Sequence, residues 1–233
     1  LQFDYTYIYL FGLKIFEPIT ILTNFIIGLV CLYSFYQIFK TKSSLAFYWS
    51  MFFLLIGISS TIGSVGHGTH HQFGLQFFNV VLFFMNAVSL IAIYYCYKAA
   101  YSSTTNNKSN TKLNYFVIGW ISTLLLISIW LNNFLIIKIH AGIVLTYSLI
   151  AHLVSHKKQE QGSGWIAAGI LVSFLSIVTH SIKLSMHDWF NHKDISHIIM
   201  AISLIVIYKG VKLKITKYSP ENVSGSFVST TVN

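Results

Sequence analysis

The chain contains no arginine, and charged residues make up only 9% of its 233 positions. Soluble domains carry about 25% charged residues, so a globular surface wetted on all sides is excluded. With 55% of residues hydrophobic, the composition is that of an integral membrane protein, and the length fits one helical bundle. The formal charge of +9 is entirely lysine. Without guanidinium groups the chain lacks the two-pronged donors that read phosphates and base edges, and no nucleic-acid partner is expected. Cysteine is equally scarce. Cys31 and Cys96 both fall inside apolar runs, which excludes a disulfide framework and reads as small core residues. Leu1–Phe16 lacks the basic start, apolar run and small-residue cleavage site of a signal peptide.

What is abundant is apolar run after apolar run. Seven stretches, at roughly 17–39, 44–66, 74–98, 113–131, 134–154, 164–185 and 191–211, match the ~20 residues a membrane helix needs. Polar segments such as KTKSS, SSTTNNKSNTK and SHKKQEQGSG separate them. The predicted fold class is all-α, a polytopic seven-transmembrane-helix bundle over residues 1–213. Segment 214–233, rich in Ser, Thr, Val and Asn, is expected to be a disordered cytoplasmic tail. The chain shows no internal repeat.

Lysine sets the orientation. The first connection carries Lys40 and Lys42, the third Lys98, Lys108 and Lys112, and the fifth Lys157 and Lys158. Lys209, Lys212, Lys214 and Lys217 end the chain, whereas the second connection has none and the sixth offsets Lys183 and Lys193 with Asp188 and Asp194. Basic connections stay in the cytoplasm, so the N-terminus is expected outside and the C-terminus inside. That orientation puts eight of the ten histidines on the outer face: His67, His70, His71, His140, His180, His187, His192 and His197. Asp4, Glu17, Asp188 and Asp194 join them, leaving only His152 and His156 inside. Ionisable groups at a bilayer edge are costly, and a cluster of them marks a functional candidate.

Two histidine groups stand out. GHGTHH holds His67, His70 and His71. If the second helix runs that far, His67 shares a face with His70 or His71; alternatively Gly63, Gly66 and Gly68 open the helix. FNHKDISH holds His192, Asp194 and His197. Asp194 and His197, three apart, are helical neighbours, and Asp194 also suits a helix first turn. Glu17-Pro18 reads as a helix start. Glu17, Thr20 and Asn24 form a stripe that either faces the site or holds membrane helices together. Asn79 and Asn86 carry the same two readings.

The segment FEPITILTN resembles the first-helix acid-to-asparagine motif of the alkaline ceramidases and of the progestin and adipoQ receptors. Those belong to the CREST superfamily of seven-helix membrane hydrolases. Its other hallmarks are a serine and histidine ending the second helix, an acid in the third, and paired histidines opening the seventh. Ser64 with His67, Asn79, and HKDISH stand at those places, in order along all seven spans. The chain also resembles a bacterial membrane family that shares EPxT, HG and FNHxDxxH. Three departures are visible. Ser64 and His67 are three apart rather than four, Asn79 replaces the acid, and Lys193 stands four before His197 where a histidine is expected.

The resemblance implies a zinc-dependent intramembrane hydrolase of a lipid amide or ester in a bacterial inner membrane. His67, His197 and one of His192 or Asp194 would hold Zn2+, leaving a position for water. Ser64 and Asp194 are the catalytic candidates, with Ser64 or a second imidazole at the oxyanion. Asp188, His187 or His180 would move protons or orient ligands, and Glu17, Asn24, His71 and Asn79 would support the site. The expected partner is a membrane lipid, as substrate or ligand. The rival expectation is a non-enzymatic seven-helix receptor or sensor with a structural metal, which Lys193 and Asn79 favour. A histidine-relay transporter is disfavoured by the lack of inverted repeats and broken central helices.

Overall fold

The computed structural model describes residues 6–105, 111–131 and 134–216, without the side chains of residues 70, 71, 129 and 134. The chain enters through a hairpin, β1 (Tyr7–Leu10) and β2 (Leu13–Phe16), paired antiparallel from Tyr7↔Phe16 to Leu10↔Leu13. Phe11 (φ 50°) and Gly12 (φ 78°) form its two-residue turn, both left-handed as such tight hairpins require. This hairpin is not among the expected elements, although two Tyr/Ile/Leu-rich runs flanking Phe11-Gly12 carry its signal.

Helix α1 (Pro18–Phe39) starts with proline at its first position, where the missing N–H costs nothing. The next helical run, Ser44–Thr105, breaks at Gly74 (φ 79°, ψ 175°) into two arms, α2 (44–73) and α3 (75–105). The helix therefore does run on through His67. Gly66 and Gly68 do not open it but let neighbours approach: a Cβ would meet Val81 Cγ1 at 3.0 Å and Ile21 Cδ1 at 2.9 Å. Then come α4 (Thr111–Leu131), α5 (Phe134–Lys157), α6 (Ser163–Ser181) and α7 (His192–Thr216). Helix α6 ends earlier than the expected residue 185, because Lys183 turns left-handed (φ 55°) and a short bridged turn, His187↔Phe190, follows.

Six of these helices, α1 to α6, are long and apolar enough to cross a membrane. Burial is arranged accordingly. On α1, Thr20, Thr23, Asn24, Ile27 and Cys31 face inward while Leu22, Phe25, Leu29 and Leu32 are exposed. Apolar outside and polar inside is the pattern of a helix facing lipid. Cys31 and Cys96 are buried free thiols, as expected.

Packing closes α1, α2, α3, α5, α6 and α7 around a central space. The tightest seam is α6 on α7, where a Cβ at Gly210 would lie 2.6 Å from Gly162 O and one at Gly169 2.5 Å from Ile207 Cγ1. Small residues let membrane helices touch backbone to backbone. Buried Lys214 locks the seam's end, donating to Glu160 Oε2 and to Ser163 Oγ (2.8 Å). Helix α4 is peripheral, joined by Lys98 Nζ to Asn114 Oδ1 (3.1 Å) and Trp120 Nε1 to His140 Nδ1 (3.4 Å). Helix α7 continues to Thr216, three residues into the segment 214–233 expected as a tail; from residue 217 on, that segment lies outside the described residues.

Candidate functional site

The N-terminus of α7 organises the site. Lys193 N–H donates to Asn191 Oδ1 (2.9 Å), and Asn191 N–H donates back to Asp194 Oδ2 (2.8 Å). This reciprocal cap fixes the first turn. Thr20 Oγ1 on α1 donates to the other oxygen, Asp194 Oδ1 (2.7 Å), so a carboxylate only 1% exposed ties α1 to α7. Thr23, one turn along α1, places its hydroxyl 3.1 Å from His197 Nδ1.

Glu17 is the hub. The last rung of the hairpin, Glu17 N–H to Thr6 O (2.9 Å), holds its backbone in the left-handed region (φ 46°, ψ 54°) just before α1. A non-glycine residue there is uncommon, and such strain concentrates at functional positions. The buried carboxylate meets His67 Nδ1 at Oε2 and Lys193 Nζ at Oε1, each at 2.5 Å. Three elements distant in sequence thus converge on one acid. Burial disfavours its charge, but the hydrogen bond and charge of His67, then those of Lys193, outweigh burial and hold its pKa down at about 2.

Beside this hub lies a cavity of about 400 Å³ between α1, α2, α3, α5, α6 and α7. His67, Lys138, His180, Lys193 and His197 line one end. They sit where α2 and α6 finish and α5 and α7 begin, which the alternating helix directions put on one side of the bundle. The remaining walls are mainly apolar, including Phe52, Leu82, Ile93, Leu145 and Ile207. From Lys193 to Ile207 the lining follows α7 for about four turns, roughly 20 Å.

The expected site residues separate into those the fold assembles and those it disperses. Glu17, His67 and His197 come together, and Asn24 lines the same cavity, accepting Ser60 Oγ at its carbonyl and its Oδ1, both at 2.9 Å. Ser64 is buried close by, but its hydroxyl donates to Ile21 O (3.2 Å) and Ser60 O (3.3 Å) rather than to an imidazole. Asp194 is engaged by Thr20 and the helix cap. His192 turns to Ser185 Oγ (3.5 Å) and stands edge-on to His180, ring centroids 5.4 Å apart. Asn79 is exposed on α3 and is not among the cavity-lining residues, while Asn86 is buried. His187 and Asp188 are exposed in the α6–α7 turn. The side chain of His71 lies outside the described residues.

Among the described residues no three His, Cys, Asp or Glu side chains converge on one point, and the Lys193 ammonium stands beside His67 on the acid they share. Lys138 is not among the expected site residues, although a lysine near the start of an apolar helix is a signal legible in the sequence.

An apolar exterior, helices able to cross a bilayer and a polar-ended interior cavity define a multi-pass integral membrane protein. Residues 19–216 match the family described as "Family of unknown function (DUF6962)", and the chain belongs to that family. No curated protein and no solved structure matches it.

Proposed function

We propose that this chain is a lipid-binding membrane protein of the receptor or sensor kind, with seven helices across the membrane, the N-terminus outside and the C-terminus cytoplasmic. The acyl chain of a lipid enters the cavity and its head group meets the Glu17, His67, Lys193 and His197 cluster. The observation that carries this reading is the cavity itself, a mostly apolar channel whose ionisable lining residues are gathered at one end. Apolar pockets with a few convergent polar groups are the usual form of a small-molecule site. The Glu17–Lys193 pair supports binding over metal chemistry, since an ammonium occupies the position where the CREST resemblance expects a ligand.

One contact favours a second reading, hydrolysis of a lipid amide or ester. His67 is oriented through Nδ1 by Glu17 and also lines the cavity, the arrangement of an imidazole general base. In that reading His67 takes a proton from water beside the lipid carbonyl, and kinship with the CREST hydrolases and a bacterial inner membrane location follow from the same resemblance.

The test is to purify the chain in mild detergent and measure the lipid it carries by mass spectrometry. Ala141→Trp fills the cavity wall, whereas Ile143→Trp alters an exposed position two residues away. Bound acyl lipid is expected to vanish from the first variant and persist in the second. Equal occupancy in both would overturn the cavity reading. Turnover of an acyl ester that disappears in His67→Gln would select the hydrolase.

A further inference from the structure

The hairpin ahead of α1 is made of side chains that water does not favour. From Tyr7 to Leu13 it reads YIYLFGL, without a charge. Successive strand residues point to opposite faces, and all four side chains of β1 are exposed. Apolar groups therefore stand on both faces of the ribbon, whereas a sheet at an aqueous surface keeps its wetted face polar. At the tip Leu10 is 50%, Phe11 96% and Leu13 58% exposed. The one charge of the two strands is folded back, with Lys14 Nζ 3.8 Å from the centre of the Tyr7 ring.

The fold puts this ribbon at the edge of the membrane-crossing layer. Glu17 N–H donates to Thr6 O (2.9 Å) where α1 begins, and Gln72 Nε2 donates to Lys14 O where α2 ends. Phe73 and Leu75, on either side of the Gly74 break, are exposed at the same edge. Beyond Pro18 the apolar surface continues along α1 through exposed Leu22, Phe25 and Leu29, which face lipid. A two-stranded ribbon is marginal in water by itself. Immersion in a bilayer surface covers both of its faces at once, which docking of one face on a protein would not.

We propose that the hairpin is an interfacial anchor, lying among the lipid head groups with Leu10, Phe11 and Leu13 reaching into the acyl boundary. The open edges of a two-stranded sheet carry unpaired N–H and C=O groups that hydrocarbon does not solvate. The strands accordingly stay in the head-group layer and their side chains alone go deeper. Tyr7 and Tyr9 suit that layer, with an apolar ring and a hydroxyl for water or a head group. Because the last rung of the hairpin holds the backbone of Glu17, the anchor ties the hub of the site to the membrane surface.

The test uses the full chain carrying Cys31→Ala and Cys96→Ala, in vesicles of phosphatidylcholine and phosphatidylglycerol. A nitroxide is attached to a single cysteine introduced as Phe11→Cys, Leu22→Cys or Lys158→Cys. Its relaxation is compared in oxygen, which concentrates in the acyl layer, and in a water-soluble nickel chelate. The oxygen-to-chelate ratio at position 11 is expected to be about fivefold or more above that at Lys158, in the exposed α5–α6 turn, and to approach that at lipid-facing Leu22. Leu13→Cys, on the other strand, should repeat the result independently of any local disturbance at position 11. A ratio at both positions equal to that at 158 would put the tip in water and overturn the anchor. Protection from both reagents would mean that protein covers the tip, a partner or a second copy, and would overturn it equally.

Discussion

Glu17 and Lys193, 176 positions apart, meet side chain to side chain at 2.5 Å, and the same carboxylate holds His67 of α2. The entrance to α1, the end of α2 and the start of α7 are thereby fastened at one buried acid. Removing one partner of a buried pair leaves a charge without compensation, at about 3–5 kcal/mol. Glu17→Ala is expected near the lower figure, because Lys193 keeps partial access to solvent. Lys193→Met should cost less, since His67 remains on the acid. In a double-mutant cycle of detergent melting curves the two losses should sum to more than the double variant shows. Strict additivity would mean the contact contributes nothing.

The pH dependence has a definite sign. Glu17 has its folded pKa lowered from 4.5 to about 2, so its stabilising contribution is present above pH 4.5 and lost as pH falls toward 2. That difference corresponds to roughly 3 kcal/mol. The stability gap between the parent and Glu17→Gln should persist down to about pH 5 and shrink only below it. A gap that has already closed at pH 6 would contradict the ion-pair geometry.

Metal content tests the proposal that this chain binds lipid without a metal centre. Elemental analysis of the purified protein is expected to give far less than one zinc per chain. Lys193→His puts an imidazole one turn before His197 and next to His67, and should raise zinc toward stoichiometry. Stoichiometric zinc in the parent, whose removal by a chelator lowers the melting temperature, would reinstate a metal centre with His70 or His71 as a contributor.

Helix α7 is the most polar of the seven, carrying Lys193, Asp194, Lys209, Lys212 and Lys214, and its place in the bundle depends on close contact with α6. Gly210→Ala would set a methyl 2.6 Å from Gly162 O and 2.7 Å from Ile166 N, both backbone atoms that yield only if the helices part. Overpacking of this kind costs about 1–3 kcal/mol. Thermal melts should show it, whereas Gly119→Ala, with nothing within 4 Å, should be nearly neutral.

Orientation can be read from added cysteines. A cysteine at Ser185 should react with a membrane-impermeant reagent on intact cells, and one at Ser43 only after the membrane is opened. The reverse pattern would invert the topology.

Sequence by itself determined that this is a helical membrane protein, where most helices lie and which end of the bundle gathers the histidines. Those are local or compositional properties: apolar run length, the scarcity of charge, and lysine distribution between runs. His67 and His197 could be singled out for the same reason, since an ionisable residue at a span's edge stands out without any knowledge of its neighbours. Tertiary structure alone decided the partners. Nothing in the local pattern says that Glu17 accepts both His67 and Lys193, that Asp194 is consumed by Thr20 and a helix cap, or that Asn79 faces outward. Such pairings depend on how helices are rotated and how deeply they sit, and rotation is set by contacts among all of them, such as the glycine seam between α6 and α7. The histidines were legible as a group, and their division into a hub, a cavity mouth and bystanders had to wait for the packing.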